Sequence, residues 1–182
     1  MKYFKIIVLA FSLAVVGIKP VAGWTFEASQ EQASMDVNTS WQEVFNYAQE
    51  NLSMEGQLIV KSDGFGYLKV DDEYIHTLFP MLGIIEEGFK EPPYFRTPEA
   101  PGAHISVFYV NENIMPEEVG QCFRFELKQI VIVKPSKDTS YAVLQVTSPE
   151  LEKLREKYGL SSKLFGHDYH ISLAKKTTPR TN

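Results

Sequence analysis

Residues 101–110, PGAHISVFYV, and residues 169–176, YHISLAKK, write the tripeptide His-Ile-Ser twice, each time after a glycine-containing loop. The apolar, β-branched content around both copies predicts a strand in each place. Side chains alternate faces along a strand, so His104 and Ser106 point one way while Ile105, Val107 and Tyr109 point the other. The second copy sets His170 and Ser172 against Tyr169, Ile171 and Leu173. Each strand is thus expected to present a polar pair over an apolar back, with Phe108 on the face of His104, where a ring can stack on a nucleobase.

The polar pair suits a phosphate. A hydroxyl donates to a non-bridging oxygen, and an imidazole takes or gives a proton at an entering or leaving oxygen. One pair is half of a reaction centre. Two pairs across one cleft supply a base and an acid together, because histidine titrates near neutrality and one ring can be neutral while its partner is protonated. The candidate acid/base residues are therefore His104 and His170, and the candidate phosphate-binding residues are Ser106 and Ser172. Neither a metal nor any other cofactor is called for. His167 and Asp168 precede His170, but zinc wants three or four convergent ligands and no further cluster stands near them. In strand parity His167 faces away from His170, whereas Asp168 shares its face and is placed to orient the imidazole. Tyr94, Phe95 and Arg96, in the Pro-rich loop before the first motif, are candidates to grip a nucleotide. Lys175 and Lys176 read as a solvated tail, and His76 as a surface or core-edge residue.

Working outward, NTSWQEVFNYAQENL (38–52) has cap residues followed by Trp41, Val44, Phe45 and Ala48 at helical spacing. GQLIVKSDGFGYLKV (56–70) reads as two short strands around Ser62, Asp63 and Gly64. DDEYIHTLFPML (71–82) is a helix that Pro80 must end or kink. CFRFELKQIVIVK (122–134) and SYAVLQVTS (140–148) are strands by alternation, separated by PSKD. SPELEKLREKYGL (148–160) has a Ser cap, Pro next and Gly159 as a stop. Strand–helix–strand units in each half predict an α+β fold of two similar lobes.

The first residues, MKYFKIIVLAFSLAVVGIKPVAG, have a basic start, an apolar stretch from Ile6 to Ile18 and small residues before Trp24. They predict a signal peptide over 1–23, followed by a mobile lead-in over 24–38 and a single domain over 39–182. The apolar stretch falls short of the ~20 residues that a bilayer core requires, so no stable membrane anchor is expected after cleavage. Without its leader the chain carries 15 basic and 23 acidic residues, a net charge of −8. That surface repels long nucleic acid and leaves a small nucleotide or short oligonucleotide as the expected partner. The single cysteine, Cys122, cannot form an internal disulfide. An exported, periplasmic or secreted monomer is the expectation.

The paired motifs HISV (104–107) and HISL (170–173) resemble the signature of the two-histidine (2H) phosphoesterases, His-x-Ser/Thr-x with x usually hydrophobic. That family includes the bacterial RNA ligase-like cyclic phosphodiesterases and 2',5'-oligonucleotide phosphodiesterases. The resemblance runs from about Gly64 to Lys176 through GYLKV, YIHTLFPML, FELKQIVIV, YAVLQVT and ELEKLREKYGL in the family's order. It implies a bilobal fold of two antiparallel sheets with outer helices around a central groove, and cleavage of cyclic phosphates or phosphodiesters without metal. It gives His104 and His170 the acid/base roles and Ser106 and Ser172 the phosphate oxygens, with the choice of acid and base open. A nucleotide-binding module, or a secreted effector, with such a groove and no turnover is the alternative.

Overall fold

A computed structural model of the chain describes residues 41–164 and 167–178. The expected signal peptide and lead-in lie outside the described residues. Residues 41–51 form helix α1, whose buried Val44 and Ala48 face the core while the Trp41 indole donates to the Leu82 carbonyl at 3.2 Å. Strands β1 (Glu55–Val60) and β2 (Gly66–Lys69) follow as an antiparallel pair around the expected turn. The next helix is broken in two, α2 (Glu73–His76) and α3 (Leu78–Met81). The break precedes Pro80 because proline has no N–H for the His76 carbonyl and its ring would crowd that carbonyl; in the first turn of α3 neither matters.

Strand β3 (His104–Phe108) carries the first motif; β4 (Cys122–Arg124), β5 (Glu126–Ser136), β6 (Thr139–Thr147), helix α4 (Pro149–Lys157) and β7 (His170–Thr177) complete the chain. Ser148 caps α4 as expected, accepting from the Leu151 N–H at 3.2 Å, and Gly159 lies just past its end. All seven strands pair antiparallel in one sheet of order β4-β1-β2-β3-β7-β6-β5. The two expected antiparallel lobes are its halves, β4-β1-β2-β3 and β7-β6-β5. They join through β3 and β7 at Ile105 and Ile171.

The strand expected over 122–134 is interrupted at Phe125, and its two pieces lie at opposite edges of the sheet. A chain that steps between opposite edges across one residue requires a sheet curled back on itself. Phe125 sits at that corner, 2% exposed, with its N–H on the Met54 carbonyl at 3.0 Å. Helices α2 and α3 pack on β7, and α4 on β3 and β4, over a core that includes Ile105, Val107, Ile171 and Leu173. That is the apolar back expected of both motif strands.

Both strands also carry the same irregularity. Tyr67 opposes Ser106 while its neighbour Gly66 opposes Phe108, so Val107 is an extra residue in β3. Val143 opposes Ser172 while Ala142 opposes Ala174, so Leu173 is the extra residue in β7. A bulge reverses parity beyond it. Phe108 is therefore not on the groove face: it is fully buried, edge-on to Tyr158 with ring centroids 6.0 Å apart. It passes so close to Gly66 that a Cβ there would lie 2.7 Å from its ring, which restricts position 66 to glycine. The Val107 carbonyl, displaced by the bulge, accepts from Arg155 Nη1 at 2.5 Å. Arg155 is 2% exposed and also holds both Glu112 carboxylate oxygens and the Ser161 carbonyl.

Candidate active site

The antiparallel register at Ile105 and Ile171 sets His104 beside Ser172 and Ser106 beside His170. Each histidine therefore neighbours the other motif's hydroxyl as well as its own, and the two imidazoles lie on a cross-strand diagonal, roughly 7–8 Å apart at the backbone. All four residues are partly exposed on the face opposite the core.

Both imidazoles are anchored alike. His104 Nδ1 is 2.7 Å from the Gly102 carbonyl, and His170 Nδ1 is 3.0 Å from the Asp168 carbonyl, two residues upstream in each case. A carbonyl only accepts, so Nδ1 carries the proton and Nε2 is the nitrogen left to exchange one. Burial pushes both imidazoles below the ordinary histidine pKa. For His104 the anchoring carbonyl opposes the shift while the charges of His170 and Lys69 add to it. For His170 its own carbonyl opposes and His167 adds. Burial thus favours the neutral form of both rings, and among the described residues neither Nε2 has a hydrogen-bond partner. Gly102 has φ +64, and a Cβ there would lie 2.4 Å from Asp72 Oδ1 and 2.5 Å from Lys69 Nζ, so any other residue would strain the backbone whose carbonyl anchors His104.

The remaining candidates separate. Tyr94 enters the groove: its ring is edge-on to His104 at 4.7 Å, and its hydroxyl reaches Ser172 across the strand pair. Burial raises its pKa, so the phenol stays protonated. Phe95 turns away to pack against the tilted His76 ring, centroids 4.3 Å apart, and exposed Arg96 lines a different cleft. Successive loop residues diverge because each must find its own support once no strand holds them. Asp168 orients His170 through its backbone carbonyl and not through its carboxylate, which Lys128 and Lys163 hold at 2.7 and 3.0 Å. Those two lysines keep that carboxyl below its usual range. His167 does not face away: its ring centroid is 5.2 Å from that of His170, because β7 begins only at His170 and strand parity does not apply before it. His167 Nε2 lies 3.0 Å from the Tyr109 hydroxyl.

Phe65 and Tyr67 belong to the site and went unread in the sequence. They stack on each other at 5.5 Å and stand edge-on to His104 at 5.9 and 5.5 Å. Their signal was the alternation Phe65, Tyr67, Lys69, which runs from just before β2 along one of its faces. Lys69 opposes His104, but its ammonium is held by Asp72 and the Ala103 carbonyl. On the other side, His170 and Ser172 open onto a groove of about 560 Å³ walled by Tyr94 from its loop, by Tyr141, Val143 and Gln145 from β6, and by Lys134 from β5. Among the described residues no three His, Cys, Asp or Glu side chains gather in a way that could hold a metal ion.

An antiparallel sheet with paired His-x-Ser strands side by side at its centre is the architecture of a two-histidine phosphoesterase. The family model for the "Swiss Army Knife, 2H phosphoesterase domain" matches residues 66–179, from the start of β2 through both motifs, and the chain belongs to that family. It is in this general sense a phosphoesterase hydrolase. No curated protein and no solved structure matches the chain.

Proposed function

We propose that the protein is an exported, metal-independent phosphodiesterase that cleaves a small RNA-derived substrate, a 2',3'-cyclic phosphate or a short 2',5'-linked oligonucleotide. The observation that carries this reading is the pair of similarly anchored imidazoles, each with Nδ1 on a carbonyl and Nε2 without a partner among the described residues, beside a serine hydroxyl. With one proton shared between the rings, the neutral Nε2 takes a proton from water as its oxygen bonds to phosphorus. The protonated Nε2 delivers a proton to the oxygen whose bond to phosphorus breaks. Ser106 and Ser172 donate to the non-bridging oxygens, where negative charge grows in the transition state. The groove's volume and its tyrosines suit one nucleotide. Either histidine can fill either role, and the orientation of the bound substrate decides. Export rests on the character of residues 1–23; among the described residues no helix is long and apolar enough to cross a membrane.

The test uses the chain recovered from periplasm or medium, whose first residue is expected to be Trp24. In EDTA it should hydrolyse cyclic nucleotides or 2',5'-dinucleotides, and His104→Ala or His170→Ala should each lower kcat by ~100-fold or more, the scale of lost acid/base catalysis. Full activity in either variant, or dependence on an added metal, rules the mechanism out.

A further inference from the structure

We infer that a second cleft, lined by Lys90, Arg96 and Lys175 beside the histidine groove, holds an additional phosphate of the substrate. The inference rests on the phosphodiesterase reading and narrows it: the preferred substrate is a short oligonucleotide with a phosphate besides the scissile one, rather than a lone nucleoside cyclic phosphate.

Strand β7 places the cleft. Beyond the bulge at Leu173, Lys175 opposes Tyr141, a groove residue, with its ammonium 5.6 Å from the Tyr141 ring centroid. It also lines a cleft of about 300 Å³ together with Lys90, Arg96, Pro93 and Thr177. The groove and the cleft share a wall, since Tyr94 lines one and Pro93 the other. Ser172 and Lys175 are three residues apart on one strand, roughly 10 Å at ~3.3 Å per residue and less across a bulge. That separation is of the order of the distance between neighbouring phosphates in an extended oligonucleotide.

Among the described residues no acid explains these charges, and of the three only Lys175 meets an aromatic ring, that of Tyr141. The main chains of Lys90 and Lys175 exchange two hydrogen bonds, each 2.8 Å, so two ammonium-bearing residues are fixed directly opposite each other. Like charges in that position destabilise a sheet unless an anion lies between them. Arg96 brings a third cation from the loop. None of the three forms an ion pair among the described residues, on a chain whose net charge is −5. The one acid in the lining, Glu91, is engaged by His76 at 2.8 Å. A guanidinium, two ammoniums and the Thr177 hydroxyl in a small open cleft are the donors a phosphate takes.

The experiment compares binding of a 2',5'-linked dinucleotide with and without a terminal phosphate, at either end, to the His170→Ala protein by calorimetry at low salt. One phosphorylated form should bind about tenfold more tightly than the unphosphorylated one, and the gain should shrink at high salt. In the same protein carrying Lys90→Gln and Arg96→Gln the gain should fall below about twofold. Equal affinities, absence of binding, or a gain that survives the double substitution overturns the inference. Hydrolysis by the native protein is scored separately. A phosphate-dependent gain without any turnover sustains the anion site and sinks the phosphodiesterase reading; turnover without the gain does the reverse.

Discussion

The half-site around His104 and the half-site around His170 share a tripeptide, a bulge immediately after it and a backbone carbonyl two residues before it. Their surroundings differ. Phe65, Tyr67 and Tyr94 all stand edge-on to His104, whereas His170 opens onto the wide groove floored by β6 and touches a second histidine, His167. In the proposed mechanism the shared features set the proton chemistry. The unshared ones give the pair a direction, since among the described residues the groove of about 560 Å³ opens beside His170 and Ser172.

Support for the two bulges is also unequal. Arg155 holds the displaced Val107 carbonyl from inside the core and ties it to Glu112. Burial would raise the Glu112 pKa, but Arg155 and the Tyr109 N–H prevail and keep it low. Arg155→Ala leaves Glu112 and that carbonyl without their partner and should cost about 3 kcal/mol, read as a fall in the denaturant midpoint. An unchanged midpoint would show that the β3 bulge needs no such support. Gly102→Ala strikes the His104 anchor, through the left-handed backbone and the clash with Asp72, which also holds Lys69 and the Ala103 N–H. We expect about a tenfold loss in kcat from a misplaced His104, a change that stability measurements alone would not reveal. Asp168→Asn is the complementary and smallest change. It removes the attraction of Lys128 and Lys163 but keeps the carbonyl that anchors His170, so kcat/KM should stay within about threefold and stability within about 1 kcal/mol. A loss comparable to that of His170→Ala would mean that the carboxylate orients the ring after all.

The strand pattern was legible in the sequence because His104, Ser106, His170 and Ser172 stand in short runs with apolar neighbours at period two. The cap of α4 was legible because Ser148 and Pro149 act locally. The bulges left a faint trace, the adjacent apolar pairs Val107–Phe108 and Leu173–Ala174, which also fit an ordinary strand, and so Phe108 was assigned to the wrong face. The break at Phe125 left no trace, since the alternation in CFRFEL continues through it. Phe65 and Tyr67 become site residues only through pairing with a strand some 40 residues away, and Arg155 finds Glu112 at a separation of 43 residues. Local spacing carries the chemistry of each half-site; the pairing that brings the halves together and the environment that distinguishes them are non-local.

The central claim is that the two half-sites act as one acid/base pair, and the pH dependence of kcat/KM tests it most directly. Turnover requires one proton on the pair, so the active form exists between the two apparent pKa values of the free protein. Burial lowers both imidazoles, which moves both limbs of the profile below the ordinary histidine value of about 6.5. The account predicts a bell with its maximum on the acid side of that value, falling as pH drops because the base is protonated and as pH rises because the acid is lost. A profile that is flat from pH 5 to 8, or that rises through a single limb to a plateau above 7, would contradict it.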